Sequence, residues 1–284
     1  MTIISGVVPT NNNEATIRKC LESLVLNNIE EIVISDGGSH DQTLQIAKKF
    51  PQVMIVNAGK GVSEGRDVGW RNTKGELILF LDADAYIPPD TVEKLRFHLA
   101  TSEVAGVSCV VYCANRSKLL PRLRDFDFKL SYSEMFNESG VASCVSDPFM
   151  CGLYRRTALE AVNGFDLYYQ YAEDNKLLQK LRSKNYLALI ANDAVVFHHH
   201  RESLRGLCQQ FYHHGLGRRL LIDESREFFY KRKHIRRFIC TFLENAPKAG
   251  LLALFCYPTY RLITETAFCV GYIVGRKQVE LRRK

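Results

Sequence analysis

Residues 77–81 read Leu-Ile-Leu-Phe-Leu, and Asp82-Ala83-Asp84 follows at once. Five apolar side chains without polar alternation must be buried on both faces. A short run of this kind, bounded by a polar turn, fits a central strand of a parallel sheet. Carboxylates at the carboxyl end of such a strand stand where open α/β sheets place their ligands. There Asp82 and Asp84 can hold a hard divalent cation against phosphate oxygens. An isolated Asp-x-Asp can equally be a helix cap or a turn pair, so its neighbours must decide.

The segments around it alternate in period. Ile3–Val8, Glu31–Ser35 and Val53–Val56 read as short strands, and Ala15–Leu26, Asp41–Phe50 and Gly65–Thr73 as helices. A further helix over Asp90–Ala100 is entered after Pro88-Pro89. This β-α-β-α rhythm predicts an α/β fold, a mostly parallel sheet flanked by helices. The order loosens after residue 113. Arg116–Gly140 shows no clean period and fits an acceptor-side loop or a surface helix. Phe149–Tyr154 and Leu187–Phe197 resume strand character, with helices at Arg156–Val162 and Glu173–Lys184. Beyond His198-His199-His200 the chain reads as helical to its end.

Charge divides the chain unevenly. Residues 201–284 carry 17 Lys+Arg against 7 Asp+Glu, a surplus of ten, which leaves residues 1–200 at −3 within the net +7. A basic segment attracts anionic lipid, nucleic acid or phosphorylated substrates. Here the basic residues follow apolar helices and are not interleaved with stacking aromatics, which disfavours nucleic acid. Two uncharged runs, Ala249–Tyr260 (interrupted by Pro258) and Thr266–Gly275, are both too short to span a bilayer. Amphipathic segments lying in the interface of an anionic membrane fit them, and so does a packed helical hairpin. The N-terminus goes straight into a strand pattern without a basic leader. The nine cysteines are scattered, with Cys109 and Cys113 fitting a strand as well as a metal knuckle. Free buried thiols and a cytoplasmic location, peripheral at the membrane, are therefore expected.

Four polar clusters fall where strands of this sheet should end. They are Pro9-Thr10-Asn11-Asn12-Asn13-Glu14, Asp36-Gly37-Gly38-Ser39-His40-Asp41, Lys60–Arg66 and Asp82-Ala83-Asp84. Such loops converge on one rim of a doubly wound sheet. Asp36 can accept an N–H from a base, glycines beside it allow close backbone approach, and Arg66 can reach a base or a phosphate. A nucleotidyltransferase would show a glycine-rich basic loop after the first strand, and Asn11–Glu14 is not one.

In this order the motifs resemble those of glycosyltransferase family 2, inverting transferases of the GT-A fold. Val8–Glu14 is similar to that family's Pro-Thr-aromatic-Asn-x-x-Glu segment. Asp36–Thr43 is similar to its Asp-(Asp/Gly)-Gly-Ser-x-Asp-x-Thr, and Gly65–Gly69 to its Ala-Arg-Asn-x-Gly helix. Asn163-Gly164-Phe165-Asp166 and Glu173-Asp174 look like its Gly-Gly-Phe-Asp turn and Glu-Asp pair. The resemblance covers residues 3 to about 215 and implies a GT-A domain over 1–215, with a basic helical extension over 216–284. It implies that Pro9, Thr10, Glu14, Asp36, Gly38, Arg66 and Asp82 bind a UDP- or GDP-sugar. Asp84, with His198, would hold Mg²⁺ or Mn²⁺. Asp174 would be the catalytic base, and Glu173 would support it or bind the acceptor. His213 and His214 read as helix-face residues near the acceptor. A polyprenyl-linked or glycan acceptor, in cell-surface glycan or glycoprotein synthesis, would suit the basic tail. Asn11 replaces the usual aromatic, Gly37 an acid, Asp67 the Asn after the arginine, and Lys176 a residue often acidic. A non-catalytic nucleotide-sugar-binding scaffold of the same fold is the alternative; retention of both Asp84 and Asp174 argues against it.

Overall fold

The computed structural model describes residues 2–59, 61–133, 135–136, 141–143, 151–224 and 251–282. Strands β1 (Ile4–Thr10), β2 (Glu31–Asp36), β3 (Val53–Asn57) and β4 (Leu77–Leu81) alternate with helices α1 (Ile17–Leu26), α2 (Thr43–Ala47) and α3 (Val62–Arg71). They pair in parallel in the order β3-β2-β1-β4, with Val7 opposite both Val33 and Phe80. After β4 come β5 (Ala85–Tyr86), α4 (Thr91–His98), β6 (Val104–Cys113), α5 (Leu119–Ser133) and β7 (Val141–Ser143). β8 (Cys151–Arg155), α6 (Arg156–Ala161), α7 (Glu173–Ser183), β9 (Leu187–His198), α8 (Leu204–Glu224) and α9 (Leu251–Arg282) complete the described elements.

The sheet continues as β4-β8-β6-β9-β5, and β7 also pairs with β9. The pairings β4–β8, β6–β8, β5–β9 and β7–β9 are antiparallel. The parallel order expected from the β-α rhythm thus stops at β4.

The chain forms two compact units. The first comprises residues 1–112 and 136–198, and the second 113–135 and 199–284. The boundary expected after residue 215 falls inside α8.

In the first unit every residue of β4 is buried, because helices cover both faces. Ile78 and Phe80 face a core of Val7, Trp70, Tyr154, Leu159, Phe165, Leu177 and Leu181. Phe80 meets the rings of Phe165 and Tyr154 edge-on at 5.3 and 6.1 Å. Gly6, on the other side of β1, faces Leu24 and Ile29 closely enough that a Cβ would crowd Ile29 at 3.3 Å. Each such fully buried aliphatic or aromatic side chain contributes about 1.5–3 kcal/mol.

In the second unit α5, α8 and α9 bury Leu123, Phe126, Leu130, Leu207, Phe211, Tyr257 and Tyr260 together. Asp127 lies within this core and accepts hydrogen bonds from Arg124 (2.7 Å), Tyr257 Oη (2.6 Å) and Arg261 (2.9 Å). The segment 116–140, without a clean period in the sequence, is thus mainly the helix α5. Residues 134 and 137–140 lie outside the described ones. Pro258 does not break the chain into two segments: α9 runs through it as one helix of 32 residues. No helix among the described residues is long and apolar enough to cross a membrane. Among the described residues Cys20, Cys109, Cys113, Cys151, Cys208, Cys256 and Cys269 are free thiols, and the first four are buried.

Candidate active site

The chain leaves β4 at Leu81, turns through Asp82-Ala83-Asp84 (Ala85 N–H to Asp82 C=O, 2.9 Å), and enters β5 at the far edge of the sheet. β5 is only two residues long, yet its pairing sets Ala85 opposite His198, the last residue of β9. That register brings His198 Nε2 to 3.1 Å from Asp84 Oδ1. One ligand atom each from Asp82, Asp84 and His198 lie within 4.8 Å of one another. Of the three consecutive histidines, His198 is the one beside these carboxylates. His200 belongs to the second unit, where it stacks on Phe128 and its N–H bonds Asn115.

Two carboxylates and an imidazole on so small a span suit one divalent cation. Carboxylate and imidazole donors sit about 2.0–2.2 Å from such ions, and a mixed O/N set admits Mn²⁺ as readily as Mg²⁺. Electrostatics point the same way. Burial and then repulsion from Asp84 raise the pKa of Asp82, against the pull of Arg66 and His198. A bound cation would relieve that repulsion.

Arg66 sits in the middle of α3, 4% exposed. Expected at a base or phosphate, it is held by two acids: Nη2 meets Asp82 Oδ1 at 2.8 Å and Nη1 meets Glu173 Oε1 at 2.5 Å. Glu173 and Asp174 open α7, where the helix dipole favours negative charge, while Lys180 and Arg182 occupy its last turn. Burial, and then Asp174, push the Glu173 carboxyl up to about 8, although Arg66 opposes the shift. Burial works against charge on Arg66, but Asp82, Glu173 and Asp174 outweigh it and raise its pKa. Asp174 is half-buried and accepts from the N–H and side-chain amide of Asn175, at 2.6 and 2.9 Å.

The two loops after β1 and β2 are clasped to each other. Asn11 Nδ2 donates to Gly37 C=O at 2.8 Å, and Asn12 N–H to Ser39 Oγ at 2.9 Å. Glu14 Oε2 accepts from Gln42 N–H at 3.0 Å, while Asp41 accepts from Glu14 N–H at 3.1 Å. Asp36 closes its own loop by accepting from Gly38 N–H, Ser39 N–H and Ser39 Oγ. Gly38 lies at φ 92°, where a side chain would be strained, and it is exposed. Thr10 is buried and donates to Asn13 Oδ1 at 3.0 Å. Pro9 lies under α3, where a Cβ on Gly65 would meet it at 3.0 Å. His213 and His214 are helical residues of α8 in the second unit.

Asp67 has a role not read from the sequence. Its Oδ1 accepts from Trp70 Nε1 and from Phe165 N–H, both at 3.0 Å, and its Oδ2 pairs with Arg71 at 2.8 Å. It thereby fixes the Asn163-Gly164-Phe165 turn that leads to α7. Gly164 is required there: φ is 56°, and a Cβ would stand 2.3 Å from Asp67 Oδ1. Lys176, at a position often acidic, lies 5.0 Å over the ring of Tyr169.

Residues 5–162 match the model of the family described as Glycosyl transferase family 2. The glycosyltransferase GlyA of Streptococcus pneumoniae is 36% identical over 100 residues, 32% of this chain and 14% of that protein. The O-antigen chain rhamnosyltransferase RfbN of Salmonella typhimurium is 24% identical over 293 residues, 96% of this chain and 89% of its own length. The matches span less than half the length of several curated relatives. Among solved structures, the mannosyltransferase PcManGT of Pyrobaculum calidifontis, in complex with GDP-Man and Mn²⁺, superposes with a TM-score of 0.62 at 20% identity. The alignment covers 100% of this chain and 88% of that one, and identifies the fold as GT-A.

Proposed function

Because the chain belongs to glycosyl transferase family 2, we propose that it transfers a sugar from a nucleoside-diphosphate sugar to an acceptor, with inversion at the anomeric carbon. The observation that carries this reading is the placement of Arg66. One buried guanidinium joins Asp82, at the candidate cation site, to Glu173, next to the candidate base. The clasped loops after β1 and β2 would bind the nucleoside through Pro9, Thr10, Glu14, Asp36 and Gly38. Asp82, Asp84 and His198 would hold Mg²⁺ or Mn²⁺, which when bound neutralises the growing charge of the diphosphate leaving group.

Asp174 takes the proton of the acceptor hydroxyl as its oxygen attacks the anomeric carbon. The bond from that carbon to the phosphate oxygen breaks, and its electron pair leaves with the nucleoside diphosphate. Proton transfer to a positioned carboxylate contributes typically ~10²–10⁴-fold. Glu173 acts through its neighbours, because its Oε1 is on Arg66 and its burial keeps it from solvent. A UDP- or GDP-sugar is the donor class this supports, since structural neighbours were solved with GDP-Man or UDP, each with Mn²⁺. A polyprenyl-linked or glycan acceptor fits the basic C-terminal segment.

A thermal-shift panel of UDP, GDP and dTDP, with and without Mn²⁺, tests the reading. A ligand at a hundred times its Kd should stabilise the fold by ~2.7 kcal/mol. Wild type should respond to one nucleotide only with Mn²⁺, and Asp84→Asn should lose that response. Asp174→Asn should keep it while losing ~10²-fold or more in turnover. If no nucleotide shifts the wild type, the donor site is wrong. If nucleotide binds but Asp174→Asn turns over normally, the assignment of the base fails.

A further inference from the structure

Among the described residues helix α9 is packed on one side only. Tyr257, Tyr260, Thr264, Gly271 and Gly275 are buried, and recur at the spacing of one helical face. Among the described residues the opposite face is open and mostly apolar: Phe255 is 72% exposed, Leu262 69%, Val270 49% and Ile273 59%. At 100° per residue these four share one uncharged stripe about 27 Å long with Pro258, Cys269 and the exposed Thr259 and Thr266. Scattered surface hydrophobics are ordinary, whereas a contiguous stripe of this length marks an interaction surface.

Charge decides what covers it. Between residues 249 and 275 the charged side chains are Arg261 and Glu265, which pair with each other. Basic residues flank the stretch, with Lys248 before it and Arg276, Lys277, Arg282, Arg283 and Lys284, against one acid, Glu280, after it. A second copy laid along the stripe would bring two sets of basic flanks together, and like charge opposes that. An anionic bilayer accepts both features, an apolar stripe at the acyl boundary and basic flanks among the headgroups. The helix cannot cross a bilayer. It can lie in the plane of one.

We propose that the outer face of α9 is a lipid-binding surface, seated on anionic headgroups with Phe255, Leu262, Val270 and Ile273 toward the acyl chains. The assignment stands apart from the transfer chemistry, since none of these residues belongs to the candidate active site. The chain's one tryptophan, Trp70, is 2% exposed in the core of the first unit, so Phe255→Trp in the full chain adds a reporter on the stripe. Its emission should shift to the blue and be quenched by brominated lipid with vesicles containing phosphatidylglycerol. The effect should be weaker with phosphatidylcholine alone and should fade as salt rises.

Leu262→Ser with Ile273→Ser should lower vesicle partitioning about tenfold or more, with the melting curve unchanged. Emission unaltered by anionic vesicles would overturn the proposal, as would undiminished partitioning of the double variant. Emission already blue-shifted without lipid would also overturn it. A concentration-dependent shift would assign the stripe to a second copy, and a concentration-independent one to other residues of this chain.

Discussion

Arg66 faces more negative charge than one guanidinium can offset. Asp82 and Glu173 touch it, and Asp174 adds its field. Glu173 is the acid that yields, pushed up to about 8 by burial and by Asp174. In the unfolded chain this carboxyl loses its proton near its usual value, whereas the folded protein holds it to about 8. Between those limits the folded state binds more protons, so stability falls as pH rises through the window. Metal-free protein should therefore melt lower at pH 8 than at pH 5, with a contribution from this group on the order of a few kcal/mol. Glu173→Gln should flatten the profile; parallel curves for the two proteins would remove the assignment. Asp67 yields a sharper contrast. Asp67→Ala strands Trp70 Nε1 and Phe165 N–H, each costing about 1–3 kcal/mol. Asp67→Asn keeps an oxygen for both and loses only the pair to Arg71, whose side chain is 43% exposed, worth about 0–1 kcal/mol. Urea denaturation of the two variants separates these costs, and equal losses would contradict the geometry.

At the scale of elements, the close approach of α8 and α9 rests on missing side chains. A Cβ on Gly215 would stand 2.0 Å from Phe268 C=O, and one on Gly271 would stand 1.9 Å from Tyr212 C=O. These neighbours are backbone atoms and cannot swing aside. Gly271→Ala should then cost about 1–3 kcal/mol or more by forcing the helices apart. Chemical denaturation monitored by circular dichroism reads this directly, and an unchanged midpoint would show that the helices do not pack this closely. The same elements explain what the sequence could and could not disclose. β1 to β4 were legible because each is a short apolar run ending in a polar rim, a signal contained within one segment. β5 is two residues long and owes its existence to His198 and Phe197 more than a hundred positions away. α5 carries buried Leu123, Phe126 and Leu130 at helical spacing, but Asp125 and Asp127 are buried beside them and blur the apolar stripe. Asp82-Ala83-Asp84 and Glu173-Asp174 are local motifs and could be read as such. That Arg66, 107 positions before Glu173, joins them is a property of the fold.

Across the whole molecule, the candidate site residues and the surplus of positive charge fall on different parts of the chain. Pro9, Thr10, Glu14, Asp36, Gly38, Arg66, Asp82, Asp84, Glu173, Asp174 and His198 all belong to the unit formed by residues 1–112 and 136–198. The surplus of ten positive charges belongs to residues 201–284. Neutralising a nucleoside diphosphate would therefore fall to a bound cation within a mildly acidic unit, not to the basic segment. Amide hydrogen exchange gives this a measurable form, because a ligand slows exchange where it suppresses local opening. With Mn²⁺ and the nucleotide that binds, protection should rise in the loops 9–14, 36–43 and 82–84 and at the starts of α3 and α7. Exchange in α9 should stay as it was, whereas anionic vesicles should protect α9 and leave those loops unchanged. Protection of α9 by nucleotide alone would place donor binding on the basic segment and overturn the division of labour between the two units.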